Sequence, residues 1–449
     1  MTDILSIGRS GLLAYRDAIA GVSENVANAN TDGFARRQVT LKEQYSNTGP
    51  TFLSRSAGNF NGVQAASVSR VWDQYRAANA WSANSDASMA SARSQWMGTV
   101  EDGLNDGDSG VGVKLTAIFT SAATLASNPN DATLRQSLLY AVGEGAASIT
   151  RTEANLHKIG DGLSSQANTL AAQTNDALVA LGRVNVALKT APEGTSGRAS
   201  LEDQRDSLIQ TISSAVGVDV TLDKFGAAEL RLNDNGGPLL LGSARNDVGA
   251  IEVQTASDGR LAFGVQMYDS GSPVTVTAGT LAGMADAATV ISDRRRQLDG
   301  LAGSLASDLN AWQAQGKDLK GAAGKPLLTG TTAATLAIAI SDPAEIAASD
   351  GKTANGNLVA MQTLRGNDGV ESGWRVIVSD QALRVASTEA QAKTAGTQKD
   401  SAYTALDNVS GVDLDNEAAN LMRFQQAYSA SAKIIQASRE TLQDILALF

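Results

Sequence analysis

A matched pair of heptad seams, one at each end of the 449 residues, constrains this chain more than anything else in it. Leu5, Gly8, Leu12, Tyr15, Ile19, Val22 and Val26 recur at alternating three- and four-residue steps, which places them on one helical face. From Leu414 the same rhythm takes in Glu417, Leu421, Phe424, Tyr428, Ser431, Ile435, Ser438, Leu442, Ile445 and Phe449. Glu417, Ser431 and Ser438 interrupt that seam with polar groups. Helices of this length are marginal alone in water. Each end needs a partner, and the nearest candidate is the other end.

Between the seams the character of the chain changes several times. "QVTLKEQY" and "GVQAASVSRVWDQY", within 35–80, alternate roughly, as short extended segments do. From Asp86 to Lys189 the pattern is helical, broken at "NDGDSGVGVK" and "SNPND", with Leu170, Leu178, Leu181, Val184 and Leu188 on one stripe. "APEGTSG" ends it, and 198–217 restarts a helix with Ser200 and Asp203 as a capping pair. Val218 to Ala278 alternates β-branched with polar residues between the turn signals "NDNGG" and "SDG", which predicts a small antiparallel β unit. Helix is expected again over 281–315 and 355–408, with short strands in "PLLTGTTAATLAIAISDP" between them.

The fold class is therefore mainly α with a small β domain. The terminal helices form an N/C coiled coil, the centre is a long-helix bundle domain with short strands, and an antiparallel β domain is inserted in it. The expected division is 1–34 plus 408–449 for the terminal coiled coil, 35–217 plus 279–407 for the helical core, and 218–278 for the outer β domain.

Little in the sequence suits catalysis. The 36 basic and 47 acidic residues leave a formal charge of −11, which argues against a broad surface for nucleic acid or anionic membrane. Without cysteine there are no disulfides, thiolate nucleophiles or Cys-ligated metals. Apolar runs such as "LAIAI" fall far short of the ~20 residues that span a bilayer, so no membrane insertion is expected. The start carries Asp3 and Asp17 and no continuous apolar region, unlike a cleavable secretory signal.

His157, the sole histidine, sits in the polar helical stretch "RTEANLHKIGDG" and reads as a solvated side chain. "GAAGKP" and "DGKT" lack the leading glycine of a phosphate loop, having Leu319 and Ile346 there. "NDGDSG" has Ala117 where a calcium loop needs its bidentate Glu. In "GVDLDNE", Asp413 or Asp415 reads as the cap of the last helix, with Glu417 at the positive end of its dipole. "RRR" at 294–296 reads as a solvated face. No enzyme, cofactor or metal site is expected; the strongest patterns are interaction surfaces.

One of them is distinctive. "GLLAYRDAIAGVSENVANANTDGFARRQ" resembles the N-terminal motif of the bacterial flagellar axial proteins, the rod, hook and hook-associated subunits, with Val26 and Phe34 where Ile and Tyr are usual. "SGVDLDNEAANLMRFQQAYSASAKIIQASRETLQDILALF" is similar to the matching C-terminal motif. Stretches 110–139 and 298–328 resemble the members that form the junction between hook and filament.

The resemblance implies a structural subunit, located extracellularly in the flagellum, that leaves the cell by type III export without cleavage. Its expected partners are the hook protein, a second junction protein (hook-associated protein 3) leading on to flagellin, other copies of itself in a tubular ring, and a cytoplasmic export chaperone on the C-terminal helix. The assembly contacts expected are Leu12, Tyr15, Ile19, Val22, Leu421, Phe424, Tyr428, Ile435, Leu442 and Ile445. Asn25, Asn28, Asn30, Gly33 and Phe34 form the expected hinge or helix stop, the asparagines through local hydrogen bonds and left-handed backbone. Two other readings stay open: a hook or rod subunit, and a surface glycan-binding or adhesive role for the β domain, whose aromatics are Phe225, Phe263 and Tyr268.

Overall fold

The computed structural model describes residues 2–31, 33–44, 62–104, 107–233, 237–245, 247–268 and 270–447. Phe449 of the C-terminal seam, the middle of the "NDNGG" turn and Asp106 of "NDGDSG" lie outside the described residues. The chain divides into two compact units, Met1–Asn84 with Thr174–Ala250 and Thr397–Phe449, and Ser85–Gln173 with Ile251–Gly396.

The first unit begins with helix α1 (Thr2–Ala27), followed by the antiparallel pair β1 (Arg37–Glu43) and β2 (Val63–Arg70). Arg37 stands opposite Arg70 in that ladder, and a register shift falls between Thr40 and Leu41. Helix α2 (Gln74–Leu104) starts in this unit, and α4 (Ala132–Thr190) ends in it. The next helix, α5 (Ser196–Ala215), begins before the capping pair expected at Ser200. Thr195 is the cap, its hydroxyl accepting from Arg198 N–H at 3.2 Å, because it is the first capping side chain after the turn at Pro192–Gly194. Ser200 and Asp203 lie inside the helix. The sheet β3–β4–β5 (Val218–Leu222, Ala228–Leu232, Leu239–Leu241) follows. Asn185 of α4 holds it at one point: its amide donates to Ala228 O and accepts from Ala228 N–H, both at 2.8 Å. The end of α8 (Val370–Ser410) and all of α9 (Leu414–Leu446) complete the unit.

The second unit is a helical bundle. Helix α3 (Val111–Ser127) buries Leu115, Ile118, Phe119 and Leu125. In α4, Val142, Ile149, Leu156 and Leu163 are buried at seven-residue intervals, and in α6 (Thr280–Gln315) so are Ile291, Leu298, Leu305 and Trp312. Such spacing keeps one stripe facing a neighbouring helix over many turns. The sheet β6–β7–β8 (Ala250–Thr255, Leu261–Met267, Ser270–Val274) belongs here. The strand-rich stretch 218–278, expected as one β unit, thus forms two three-stranded sheets divided between the units. With β5 only three residues long, the first ladder stops early.

An irregular strap, 316–369, lies on the bundle and carries the short strands β9 (Leu328–Thr329) and β10 (Ala337–Ile338) and the helical turn α7 (Gly356–Ala360). Helix side chains supply the hydrogen bonds its backbone lacks. Asn310 Oδ1 accepts from Leu327 and Leu328 N–H, Gln313 bridges Glu345 O and Ala347 N–H, and Arg135 donates to Ile346 O at 2.8 Å.

The run 294–296, expected as a solvated face, is not one. Arg294 is buried, donating to Asp380 Oδ2, to Gln381 Oε1 at 3.1 Å and to Gln297 Oε1 at 2.7 Å. Arg295 pairs with Glu153 at 2.8 Å, and Arg296 alone is well exposed. Successive helical residues point about 100° apart, so a run of three charges cannot share one surface. His157 is exposed, its Nε2 3.8 Å from Asp161 Oδ2 on the next turn.

Candidate assembly interface

Helices α1 and α9 pack along each other, and small residues set their separation. Gly8, Gly11, Ala14, Ala18, Gly21, Val22 and Asn25 form the buried face of α1. A Cβ on Gly8 would lie 2.7 Å from Ile435 Cγ1 and 3.4 Å from Ser431 O, and one on Gly11 would lie 2.6 Å from Ser431 Oγ. A side chain at either position would force Ile435 or Ser431 of α9 to shift. Further along, the Tyr15 and Phe424 rings meet at 6.5 Å between centroids.

The polar residues that interrupt the C-terminal seam are its most buried members. Glu417, Ser431 and Ser438 all face inward, and Ser431 satisfies its hydroxyl by donating to Ala427 O at 2.9 Å. Where two backbones approach this closely, serine fits and leucine does not.

Each seam therefore consists of two stripes with different fates. On α1 the stripe Gly8–Tyr15–Val22 is closed against α9, whereas Leu5, Leu12, Ile19 and Val26 are half-buried or exposed. On α9 the stripe Glu417–Phe424–Ser431–Ser438 is closed, whereas Leu414, Leu421, Tyr428, Ile435 and Leu442 are half-buried or exposed. Ile445 continues the closed line but is exposed beyond the pairing. Of the large apolar side chains exposed among the described residues, ten of twenty-two sit on these two helices, so open apolar surface is concentrated there.

The expected hinge residues divide in the same way. Asn25 is buried and does more than stop a helix: its amide donates to Arg37 O at 2.9 Å and accepts from Arg37 N–H at 2.7 Å. Asn28 ends α1 by donating Nδ2 to Glu24 O at 3.0 Å and accepting from the Thr31 hydroxyl at 3.3 Å. Neither it nor Asn30 takes the left-handed backbone; Gly33 does, with φ of 78°. Phe34 anchors the emerging chain under the Arg37 guanidinium, 4.8 Å from the ring centroid.

Beneath this turn lies an ionic cluster that no local pattern in the sequence signals. Arg37 and Arg70, opposite each other on β1 and β2, both reach α5. Arg37 Nη2 lies 2.5 Å from Asp203 Oδ2, and Arg70 Nη2 donates to Asp206 Oδ2 at 2.7 Å. Arg70 Nε is 2.8 Å from Asp203 Oδ1 but poorly aligned for a hydrogen bond. Arg205 binds Asp206 and stacks on Trp72, whose ring centroid is 5.4 Å away. Burial pushes the Asp203 carboxyl up from its ordinary value, and Arg70 and Arg37 pull it back. A buried network of this kind fixes geometry more than it adds stability. Here it holds the root of α1 to α5. The other helix start is conventional: Asp413 caps α9, accepting from Asp415 and Asn416 N–H.

A family model described as the flagellar hook-associated protein FlgK helical domain matches residues 97–328, just over half of the chain. The chain belongs to the flagellar hook-associated FlgK family. A second model, the flagellar basal body rod FlgEFG protein C-terminal, matches 404–448, which takes in all of α9 and the end of α8 in this FlgK-family chain. Flagellar hook-associated protein 1 of Bacillus subtilis is 25% identical over 98% of this chain and 97% of its own. That of Escherichia coli is 23% identical over 97% and 98%, respectively. The protein of the same name from Salmonella typhimurium is 26% identical over 72% of this chain and 59% of its own. Among solved structures, the flagellar hook junction protein FlgK from Burkholderia pseudomallei shares the fold with a TM-score of 0.50 at 23% identity, over 56% of this chain and 46% of that one.

Proposed function

We propose that this FlgK-family chain is a non-catalytic structural subunit that joins the flagellar hook to the filament, polymerising through its terminal helices. The observation that carries the reading is the pair of incompletely covered stripes, Leu5–Leu12–Ile19–Val26 on α1 and Leu414–Leu421–Tyr428–Ile435–Leu442 on α9, of which Ile435 also packs against Gly8. Each repeats every seven residues and so offers a second helix-packing edge after α1 and α9 have closed on each other. Copies stacked in a tube would cover them, with segments 1–34 and 408–449 innermost. The hook protein on one side and a second junction protein on the other are the proposed neighbours.

Export through the flagellar type III route to an extracellular position goes with this reading, as does a cytoplasmic chaperone on α9, whose apolar stripe suits groove binding. A hook or rod subunit is not favoured by relatives named as hook-associated proteins over nearly their whole length. The glycan reading is not favoured either. Phe263 is buried, which leaves Phe225 and Tyr268, one in each unit.

Leu442→Asp and Leu421→Asp test the proposal. Leu442 is exposed and Leu421 part-buried in the single chain, so folding stability should change by no more than about 0.5–1 kcal/mol for Leu442→Asp and by somewhat more for Leu421→Asp. Cells relying on either variant should carry hooks without filaments and release flagellin into the medium. Tyr140→Asp, at an exposed aromatic of the second unit, should leave filaments in place. Filaments in ordinary number on the two leucine variants would sink the proposal.

A further inference from the structure

We infer that Arg36 and Arg37 form a coupling device through which the N-terminal turn controls docking of the C-terminal helix. Arg36 serves the C-terminal side. Its N–H donates to Ser410 O, at the last residue of α8, at 2.8 Å, and its carbonyl accepts from Val71 N–H at 2.9 Å. Its guanidinium lies 3.7 Å from Glu417 Oε1. Arg37 serves the N-terminal side, its backbone held at both groups by Asn25 of α1 and its side chain by Asp203 of α5. Neighbours in an extended segment point opposite ways, and two adjacent arginines can therefore answer to different helices.

Glu417 is what makes the arrangement a coupling rather than a set of contacts. It is only 2% exposed, in the first turn of α9, and Arg36 is the cation paired with it among the described residues. A carboxylate so buried is strongly disfavoured once its partner is withdrawn. Arg36 stays in reach only while the chain between α1 and β1 keeps its course, and the Asn25 amide fixes that course. Slackening the N-terminal turn therefore removes the counter-charge from Glu417 and releases α9. None of these residues lies on an open stripe, so the device is separate from the proposed assembly surface and acts in the single chain.

Hydrogen exchange read by mass spectrometry on the full chain tests it without any assembly. Arg36→Ala should speed exchange across 414–447 by about tenfold or more while 196–215 in α5 keeps its wild-type rate. Asn25→Ala should speed both 2–27 and 414–447. Adding Glu417→Gln to Arg36→Ala removes the stranded charge and should bring 414–447 back to within about threefold of wild type. If Arg36→Ala does not fold, Arg36→Gln and Asn25→Ser give the same comparison. Unchanged exchange over 414–447, an equal rise across α5, or wild-type α9 exchanging like an unstructured peptide would each overturn the inference. A failed Leu442→Asp experiment would leave it standing.

Discussion

The terminal pair and the helical bundle use one seven-residue spacing to opposite effect. In the bundle, Val142, Ile149, Leu156 and Leu163 of α4 and Ile291, Leu298, Leu305 and Trp312 of α6 are large, apolar and buried. In the terminal pair the buried positions include Gly8, Gly11, Ser431 and Ser438 beside Tyr15, Val22 and Phe424, and most of the other large apolar side chains line the open edges. Volume in the bundle is thus spent on filling an interior. In α1 and α9 the small residues bring two backbones together and leave the large ones for something outside the chain. A heptad repeat by itself says that a helix has a partner; the size of the residues says whether that partner is already present.

Replacing a small residue in the closed stripe should have the largest effect. Gly8→Leu drives a side chain into Ile435, whose Cγ1 would be 2.7 Å from the new Cβ, with Ile434 Cγ2 and the Ser431 carbonyl both at 3.4 Å. The expected outcome is separation of α1 from α9, seen as loss of a disulfide engineered between the two helices in the otherwise wild-type pair. The bundle should keep its melting transition. If the engineered disulfide still formed at wild-type yield, the closed stripe would not be set by glycine, and the contrast with the bundle would fail.

Much of this contrast was legible in the sequence, and some of it was not. The seams, the two terminal helices, the extended segments of β1 and β2 and a cap at Asp413 or Asp415 follow from local spacing, and local spacing is what a sequence displays. Which stripe of each seam closes does not follow, because apolarity ranks Leu above Gly, whereas close backbone approach ranks Gly above Leu. Ser431 looked like an interruption for the same reason. Arg37 and Arg70 find their carboxylates at Asp203 and Asp206, well over a hundred residues away in sequence, so no motif could announce them. Arg294 was hidden by its neighbours: read as a run, "RRR" is a surface, but read at 100° per residue, one member must turn inward. Asn25 looked like a helix stop because asparagine so often is one, and its two-way hold on Arg37 needs the strand that the turn leads to.

A truncation in the bundle should come next in size and sharpen the comparison from the other side. Leu156 is fully buried in α4, and Leu156→Ala should cost about 2–5 kcal/mol through lost burial and the cavity left behind. The cost would be read from chemical denaturation of the single chain. Leu442→Asp in the same assay should be close to neutral. Similar costs for the two would mean that α9 is as finished as the bundle, and the distinction between closed and open stripes would lose its meaning.

The smallest effect concerns the end of α8, which leads into α9 and is tied down where Arg76 Nη1 donates to Ala405 O at 2.9 Å. Tyr403 lies in that stretch with its hydroxyl buried and without a hydrogen-bond partner, and burial pushes its pKa up to about 12. A phenol whose folded-state pKa exceeds its unfolded value of about 10 adds stability that is fully present below pH 10 and lost as pH rises through about 12. Tyr403→Phe removes both the unpaired hydroxyl and the titration. At neutral pH the variant should be as stable as wild type or more stable by up to about 1 kcal/mol. Between about pH 10 and pH 12 its advantage should widen, because only the wild type then loses stability by ionising this group. Denaturant melts at pH 7, 10 and 11.5 would show the trend. A variant that is less stable at neutral pH, or whose alkaline loss matches that of wild type, would mean that Tyr403 is solvated, and the end of α8 would then belong with the open surfaces rather than the closed ones.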